Sequence, residues 1–298
     1  MKHHRVIGRR ALLKGGTLVL GAGLLCGTKS ITLHAGGKDV LPSAVKIGLL
    51  TDVHYADRDM RINRFYRESA GKMRECIDRF NRLKPDFIVE LGDLIDAADS
   101  VEAEIEHLTT IESEYARFSG PRHYVFGNHC VDTLTKEEFL EHSNARTGFY
   151  SFDTGPFHFV ILDACYRADG VSYGRNNFHW TDAEIPPAQR DWLRWDLHNT
   201  ERPTVVFVHQ RLDVENNYGV KSAPEVRDIL ERSGRVLAVF QGHSHRNDYQ
   251  EIKGIHYCTL RAMVEGSGKG NSGYGLLDMF PDASMRLSGF REQADRRF

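Results

Sequence analysis

Cysteine and proline are scarce in this chain of 298 residues, which holds five of the first and nine of the second. No Cys-x-x-Cys pair occurs, so a zinc knuckle has no support. No Pro- or Ser-rich stretch is long enough to act as a linker between two domains, and no internal repeat appears. Long apolar runs are missing as well. The apolar stretch from Gly15 to Gly27 would span only about 20 Å as a helix, too short for a bilayer, so no stable membrane span is expected. Gly21-Ala22-Gly23 with Gly27 imitates a dinucleotide fingerprint but has the wrong spacing and no preceding strand.

Acidic residues are absent from residues 1–35, which carry six Lys/Arg. A basic start followed by a short apolar stretch is the pattern of a signal peptide. Arg9-Arg10-Ala11-Leu12-Leu13-Lys14 resembles a twin-arginine export signal, which implies the twin-arginine translocase as a partner and a periplasmic or extracellular destination. An uncleaved cytoplasmic extension is the alternative. Without this segment about 33 basic residues face 41 acidic ones, a formal charge near −8. Such a surface is a poor general binder of DNA, and no nucleic acid partner is expected.

The rest has the composition of a soluble domain, with 41% hydrophobic and 27% charged residues over the whole chain. Strand and helix patterns alternate to about Ser233. Strands then predominate, with hairpin-like pairs near residues 245–260 and 275–290. A single domain over residues 45–292 is expected.

Five short polar segments recur in this frame: Asp52-Val53-His54, Gly92-Asp93, Gly127-Asn128-His129, His209, and Gly242-His243-Ser244-His245. Each follows a β-rich apolar run: KIGLLT, DFIVEL, RHYVF, TVVFV and VLAVF. Ligands bind at the carboxyl ends of strands in open α/β sheets, so five such tips can converge. Carboxylate, imidazole and amide oxygen suit hard or borderline divalent metals, and Mn, Fe and Zn are all compatible. No single segment is specific, since Gly-Asp is an ordinary turn dipeptide and a lone histidine commonly just accepts and donates within the fold. All five in this order make one site.

The set resembles that of the calcineurin-like metallophosphoesterases. The resemblance runs from about residue 45 to about 290 and implies an α/β fold, the four-layer αββα sandwich of two packed sheets flanked by helices. It implies that Asp52, His54 and His245 hold a first metal ion and that Asn128, His209 and His243 hold a second, with Asp93 bridging both. His129 is then the catalytic histidine over the substrate, not a ligand. Two divalent ions ~3.5–4 Å apart clamp an in-line displacement at phosphorus and lower the pKa of a bridging water. Two such ions against Asp52 and Asp93, with a bridging hydroxide, leave a site near +1, which attracts an anionic phosphate ester. An imidazole near neutral pH can protonate the leaving oxygen.

Finer marks point within the family. Tyr55-Ala56-Asp57, the Arg-rich segment from Arg61 to Arg67 opening a helix through Phe80 and Asn81, and Cys130 after Gly-Asn-His resemble the manganese-dependent ADP-ribose/CDP-alcohol diphosphatases. That implies hydrolysis of the pyrophosphate link of nucleoside diphosphate derivatives, with two Mn²⁺ ions as cofactors. His54 departs from that group, which often has Gln there. Residues 163–192 are shorter than in its eukaryotic members and carry their own Ser172-Tyr173-Gly174-Arg175-Asn176-Asn177-Phe178. Loops of this kind carry specificity, so a phosphomonoesterase or cyclic-nucleotide phosphodiesterase with the same metals is the enzymatic alternative. A metal-stabilised binding protein without turnover is the alternative from another class.

Arg61, Arg64 and Arg67 lie at helical spacing and could reach a distal phosphate, or form a solvated helix face. Tyr55, Tyr173 and Phe178 could stack on a base, or close the core. The expected substrate contacts are Arg61, Arg64 and Tyr55. Cys130 reads as a small buried residue rather than a nucleophile, and His158, His179, His198 and His256 read as structural.

Overall fold

The computed structural model describes residues 42–298 and, ahead of them, two short strands, β1 (Leu12–Lys14) and β2 (Thr17–Val19), which pair antiparallel. The export signal expected over residues 1–35, with Arg9 and Arg10, otherwise lies outside the described residues. No helix among the described residues is long and apolar enough to cross a membrane.

Two six-stranded sheets form the centre. In the first, β3 (Val45–Leu50), β4 (Phe87–Glu90) and β5 (Arg122–Tyr124) run parallel. In the second, β6 (Tyr150–Thr154) is antiparallel to β7 (Phe157–Ile161), which continues parallel into β8 (Thr204–Phe207), β9 (Val236–Gln241) and β11 (Ile255–Thr259). The edge strand β10 (Asp248–Ile252) forms a hairpin with β11. The chain then returns to the first sheet, where β12 (Gly273–Met279) pairs antiparallel with β3, followed by β13 (Met285–Arg291) and β14 (Arg296–Arg297). Helices α1 (Glu68–Leu83) and α2 (Val101–Tyr115) carry the crossovers of the first sheet, and α4 (Pro187–His198) and α5 (Ala223–Ser233) those of the second. The short α3 (Lys136–His142) precedes β6 and opens on a capping box between Thr135 and Glu138.

The layering follows from the period of two in a strand. Ile47 and Leu49 of β3 share a core with Val89, Phe159, Phe207 and Phe240, drawn from both sheets and free of helix residues. Leu50 and Ile88 enter a second core with Met73, Ile77 and Phe80 of α1 and Ile111 of α2. Val160, Val206 and Val239 meet Leu193 of α4 and Val226 and Leu230 of α5. The layers are therefore helix, sheet, sheet, helix, the αββα sandwich the motifs implied. Gly48 faces α1, where a Cβ would stand 2.7 Å from Ile88 Cγ2 and 2.8 Å from Phe80 Cε2, so its lack of a side chain lets the helix approach.

One element departs from expectation. The helix expected from the Arg-rich segment begins only at Glu68. Arg61 and Arg64 exchange backbone hydrogen bonds of 3.2 and 3.0 Å around Ile62, whose φ of 59° is left-handed. A β-branched residue in that region breaks a helix, and Arg64 bridges to Glu265 instead. Arg61, Arg64 and Arg67 therefore do not form one helical row.

A candidate metal centre at the strand ends

The five polar segments stand directly after β3, β4, β8 and β9 and just beyond β5. Their backbone is unusual: Asp52, His54, Asp93, His243 and His245 all have positive φ, between 45° and 70°. Non-glycine residues there are uncommon and cluster where a side chain must be aimed. Asp52 and His54 are held in this shape by amides donating to Gly92 and Asp93 carbonyls at 3.0 and 2.8 Å. Glycines make the approach possible. A Cβ on Gly92 would lie 2.5 Å from His209 Nδ1, and one on Gly242 would lie 2.6 Å from Asp52 Oδ2 and collide with Thr51 Oγ1. One on Gly127 would collide with the Asp93 amide and Oδ1.

The side chains converge in overlapping groups: Asp52 with His54 and His245, Asp93 with His209 and His243, and His54 with Asp93 and His129. Asp93 Oδ2 joins the two halves, 3.4 Å from His54 Nε2 and 3.1 Å from His209 Nε2. Its Oδ1 accepts the His129 amide at 2.8 Å. Asp52 is oriented by Thr51 Oγ1 at 2.8 Å and by the His243 amide at 3.1 and 3.2 Å.

The tautomers follow from what each second nitrogen touches. His54 Nδ1 donates to Asp96 Oδ2 at 3.1 Å, His245 Nδ1 to Glu265 Oε1 at 2.9 Å, and His209 Nδ1 to the Leu91 carbonyl at 2.9 Å. Their Nε2 lone pairs are left facing inward, with His54 and His245 Nε2 only 3.0 Å apart. His243 Nδ1 lies 3.2 Å from His209 Nε2. Asn128 Oδ1 is buried without a hydrogen-bond partner. Buried acceptors turned toward one another are unfavourable unless a cation lies among them. Two carboxylates, four imidazoles and an amide oxygen fit divalent transition metals, with Asp96, Glu265 and the Leu91 carbonyl steering the imidazoles from behind. Burial would raise Asp52 and Asp93, yet the histidines hold both well below the usual carboxylate range. Burial and the neighbouring His209 push His243 down to about 3, so it stays neutral.

His129 stands beside this group, partly exposed. Its ring is edge-on to that of His54, centroids 4.8 Å apart. Asp132 Oδ2 lies 3.0 Å and Asp96 Oδ1 3.4 Å from its Nδ1. Burial would lower its pKa, but Asp93, Asp132 and Asp96 raise it well above the usual imidazole value. These carboxylates favour the protonated ring.

A cavity of about 290 Å³ opens over the group, lined by Asp93, Asn128, His129, His243 and His245 together with Arg64, Trp180 and Tyr218. A second, of about 300 Å³, adjoins it at Arg64 and His129 and is lined by Arg58 and Arg61 as well. Arg58 Nη2 and Arg64 Nη1 pair with Asp96 at 2.5 and 3.3 Å. Trp180 and Tyr218, both substantially exposed, stand 5.5 Å apart by ring centroids, each 5.7 Å from His243.

Of the expected substrate contacts, Arg61 and Arg64 line these cavities, whereas Tyr55 turns its ring edge-on to His107 at 6.0 Å and packs on the core. Arg67 is paired with Asp57 and Asp59 at 2.5 and 2.6 Å. Tyr173 and Phe178 are stacked on one another at 3.7 Å, which occupies the faces a base would need. Cys130 is fully buried, with its thiol pushed up by burial. His158 and His256 are bonded within the fold, the first to Asp153 and Asp196 and the second to Tyr249. Asp96, Asp132, Glu265, Trp180 and Tyr218 carry no motif, and only the position of Trp180 in the 163–192 loop hinted at a role.

An αββα sandwich with this donor set at its strand ends is a metal-dependent hydrolase. The chain belongs to the calcineurin-like phosphoesterase family, whose model matches residues 45–247. It is 23% identical to the manganese-dependent ADP-ribose/CDP-alcohol diphosphatase of Oryza sativa subsp. japonica, over 88% of this chain and 95% of that one. Identity to the protein of the same name from Arabidopsis thaliana is 24%, over 81% and 93%. A dimetal phosphatase from Danio rerio superposes with a TM-score of 0.75 at 21% identity, covering 86% of this chain and 99% of that one. A purple acid phosphatase from yellow lupin superposes with a TM-score of 0.56 at 15% identity, over 86% and 53%. At these identities the two structures establish the likeness of fold.

Proposed function

We propose that the protein is an exported phosphohydrolase with two metal positions that cleaves the pyrophosphate bond of nucleoside diphosphate derivatives, ADP-ribose or CDP-alcohols. The observation that carries the proposal is the shared Arg64 and His129 between the metal-site cavity and the arginine-lined cavity. A diphosphate has two adjacent anionic groups and needs this adjacency; a monoester needs only the first cavity. Trp180 and Tyr218 add flat apolar faces suited to a base at the other wall. The names of the plant relatives agree with the substrate class and with manganese.

Divalent ions, when bound, would supply charge on the phosphoryl oxygens and an activated water. Asp52, His54 and His245 would hold one and Asn128, His209 and His243 the other, with Asp93 reaching both. The chain's own residues do the rest. Arg64 and Arg61 neutralise and orient the phosphate that is not attacked. His129, with the Asp132 carboxylate 3.0 Å from its Nδ1, keeps a proton on Nε2 and gives it to the leaving phosphate oxygen. Asp132 and Asp96 keep that proton on the ring until the oxygen carries charge.

A substrate panel tests this with metal-loaded enzyme. ADP-ribose and CDP-choline should give kcat/KM well above p-nitrophenyl phosphate and bis-p-nitrophenyl phosphate. A preference for the monoester or the diester would replace the diphosphatase by that activity. Export rests on the Arg9 and Arg10 pattern and is tested separately.

A further inference from the structure

Lys72 is a lysine of α1 that is almost fully buried, at 1% exposure. Among the described residues it makes no close ion pair; its Nζ points into a ring of backbone oxygens. The carbonyls of Met263, Val264, Glu265, Gly266 and Asn271 lie 3.0, 3.2, 3.1, 2.6 and 3.5 Å away. An ammonium has three donors, so five oxygens cannot all be bonded to it. The remainder is ion–dipole attraction, the chemistry by which carbonyl rings strip potassium of its water. Converging carbonyl dipoles repel one another unless a cation fills the centre. Burial brings Lys72 down to about 8, which leaves it charged at neutral pH.

The 263–271 loop can curl this tightly because Gly266 and Gly268 have φ of 72° and 78°. A Cβ on Gly266 would stand 2.5 Å from Asn271 Cβ. Its opposite side faces the metal centre. The amides of Met263 and Val264 donate to the carbonyls of Thr51 and Asp52 at 3.1 and 3.0 Å, and that of Gly266 to Asn63 at 2.9 Å. Glu265, in the middle, holds His245 Nδ1 at 2.9 Å and takes Asn63 Nδ2 at 2.5 Å. The loop thus has its carbonyls on Lys72 and the amides of Met263 and Val264 on the segment that carries Asp52.

We infer that the 263–271 loop is a monovalent-cation site filled by the chain's own Lys72, and that Lys72 is a positioning residue that sets metal affinity at Asp52, His54 and His245 through Glu265. The inference rests on the metal assignment above only for its second half. Carbonyls held by a tethered cation need no potassium from solution and cannot lose it.

Lys72→Met keeps the apolar stem of the side chain and removes the charge. In metal-free protein, amide exchange at Met263, Val264 and Gly266 should quicken by at least tenfold while the strands of both sheets keep their protection. In a chelator titration of the manganese-loaded protein, the ion at Asp52, His54 and His245 should be lost roughly 10–100-fold more easily, the usual cost of removing a group behind a ligand. The ion at Asn128, His209 and His243 should be held as before. Lys72→Ala leaves the carbonyls around a space, and added potassium or ammonium should restore both the exchange protection and the metal affinity. Tetramethylammonium at matched ionic strength should restore neither. Wild-type exchange in Lys72→Met, or loss of protection spread evenly over the whole fold, would overturn the cage. Fast exchange with both ions bound as in the wild type would overturn the positioning role, and rescue by tetramethylammonium or by neither cation would overturn the cation site. If the wild-type protein binds no divalent ion, the proposed function fails while the exchange data still decide the cage.

Discussion

The Nε2 atoms of His54 and His245 face one another across 3.0 Å, and the Nδ1 of each is bonded to a carboxylate, Asp96 for the first and Glu265 for the second. Two lone pairs aimed at each other repel, and the carboxylate behind His54, Asp96, is buried and held by Arg58 and Arg64. Such an arrangement is stable with a cation between the nitrogens and strained without one. Removal of metal with a chelator should therefore lower the Tm of the protein, and manganese should restore it in a concentration-dependent way. A Tm indifferent to chelator and to manganese would count against the metal site as a whole.

Asp93 occupies the junction, with Oδ2 within 3.4 Å of His54 Nε2 and 3.1 Å of His209 Nε2. Asp93→Asn keeps the shape and removes the one carboxylate that reaches both halves. Activity should fall to background, and metal analysis should find fewer ions per chain than the two expected of the wild type. A variant that keeps two ions and normal turnover would remove Asp93 from the bridging position.

Gly242 offers a test that leaves every donor in place. A Cβ there would collide with Thr51 Oγ1 and lie 2.6 Å from Asp52 Oδ2, both in the segment that aims Asp52. Gly242→Ala should shift Asp52, with an overpacking cost of about 1–3 kcal/mol, and lower metal occupancy. Unfolding curves and metal content together check this; unchanged occupancy would show that Asp52 tolerates the shift.

His158 lies in the second sheet, away from the metal centre, with Asp153 Oδ1 at 2.7 Å and Asp196 Oδ2 at 2.9 Å on its two ring nitrogens. Burial would lower its pKa, but Asp196 and Asp153 raise it above the ordinary 6.5. A raised value in the fold means that the charged pairings stabilise fully below about pH 6.5 and are lost as pH rises through the folded-state pKa. His158→Gln should therefore cost about 1–3 kcal/mol near pH 6 and distinctly less near pH 9. Denaturant melts at both pH values measure it, and a cost that grows with pH would reverse the assigned charge.

Much of the fold and of the candidate site was legible because the candidate metal donors are short polar segments fixed to strand ends. A donor such as Asp52 or His243 has its position set by the preceding strand and an adjacent glycine, so sequence order translates directly into space. Asp96 and Glu265 were not legible for the opposite reason. They act through long-range contacts, 42 and 20 residues from the histidines they hold, and their neighbours spell no motif. The Arg61 to Arg67 segment misled because a row at helical spacing says nothing about a left-handed Ile62 that turns the chain before the helix starts. Tyr173 and Phe178 looked available for a base, and only the loop geometry shows that they satisfy one another.

The export proposal rests on Arg9 and Arg10 and has its own test. A twin-arginine signal is read as an address by its translocase, so Arg9→Lys with Arg10→Lys should keep the full-length protein in the cytoplasm. Fractionation and the size of the cytoplasmic form report the outcome. Normal periplasmic accumulation of the double variant would remove the export proposal and leave the enzymology untouched.

His129 separates catalysis from mere metal holding. Asp132 and Asp96 stand 3.0 and 3.4 Å from its Nδ1, its charge is favoured by Asp93, and its ring lines the cavity over the candidate ligands. His129→Ala should keep both ions, because the residue lies outside the proposed ligand set. Turnover should drop by roughly 10²–10⁴-fold, the usual worth of a positioned acid. A proton donor matters most where the departing oxygen is basic, so the deficit should be largest for alkyl esters. It should be smallest for p-nitrophenyl esters, whose leaving oxygen needs little protonation. Equal deficits for both classes would make His129 an electrostatic clamp on the phosphoryl oxygens. Loss of an ion from the variant would instead make it a ligand, which its place beside His54 and Asp93 leaves as the competing role.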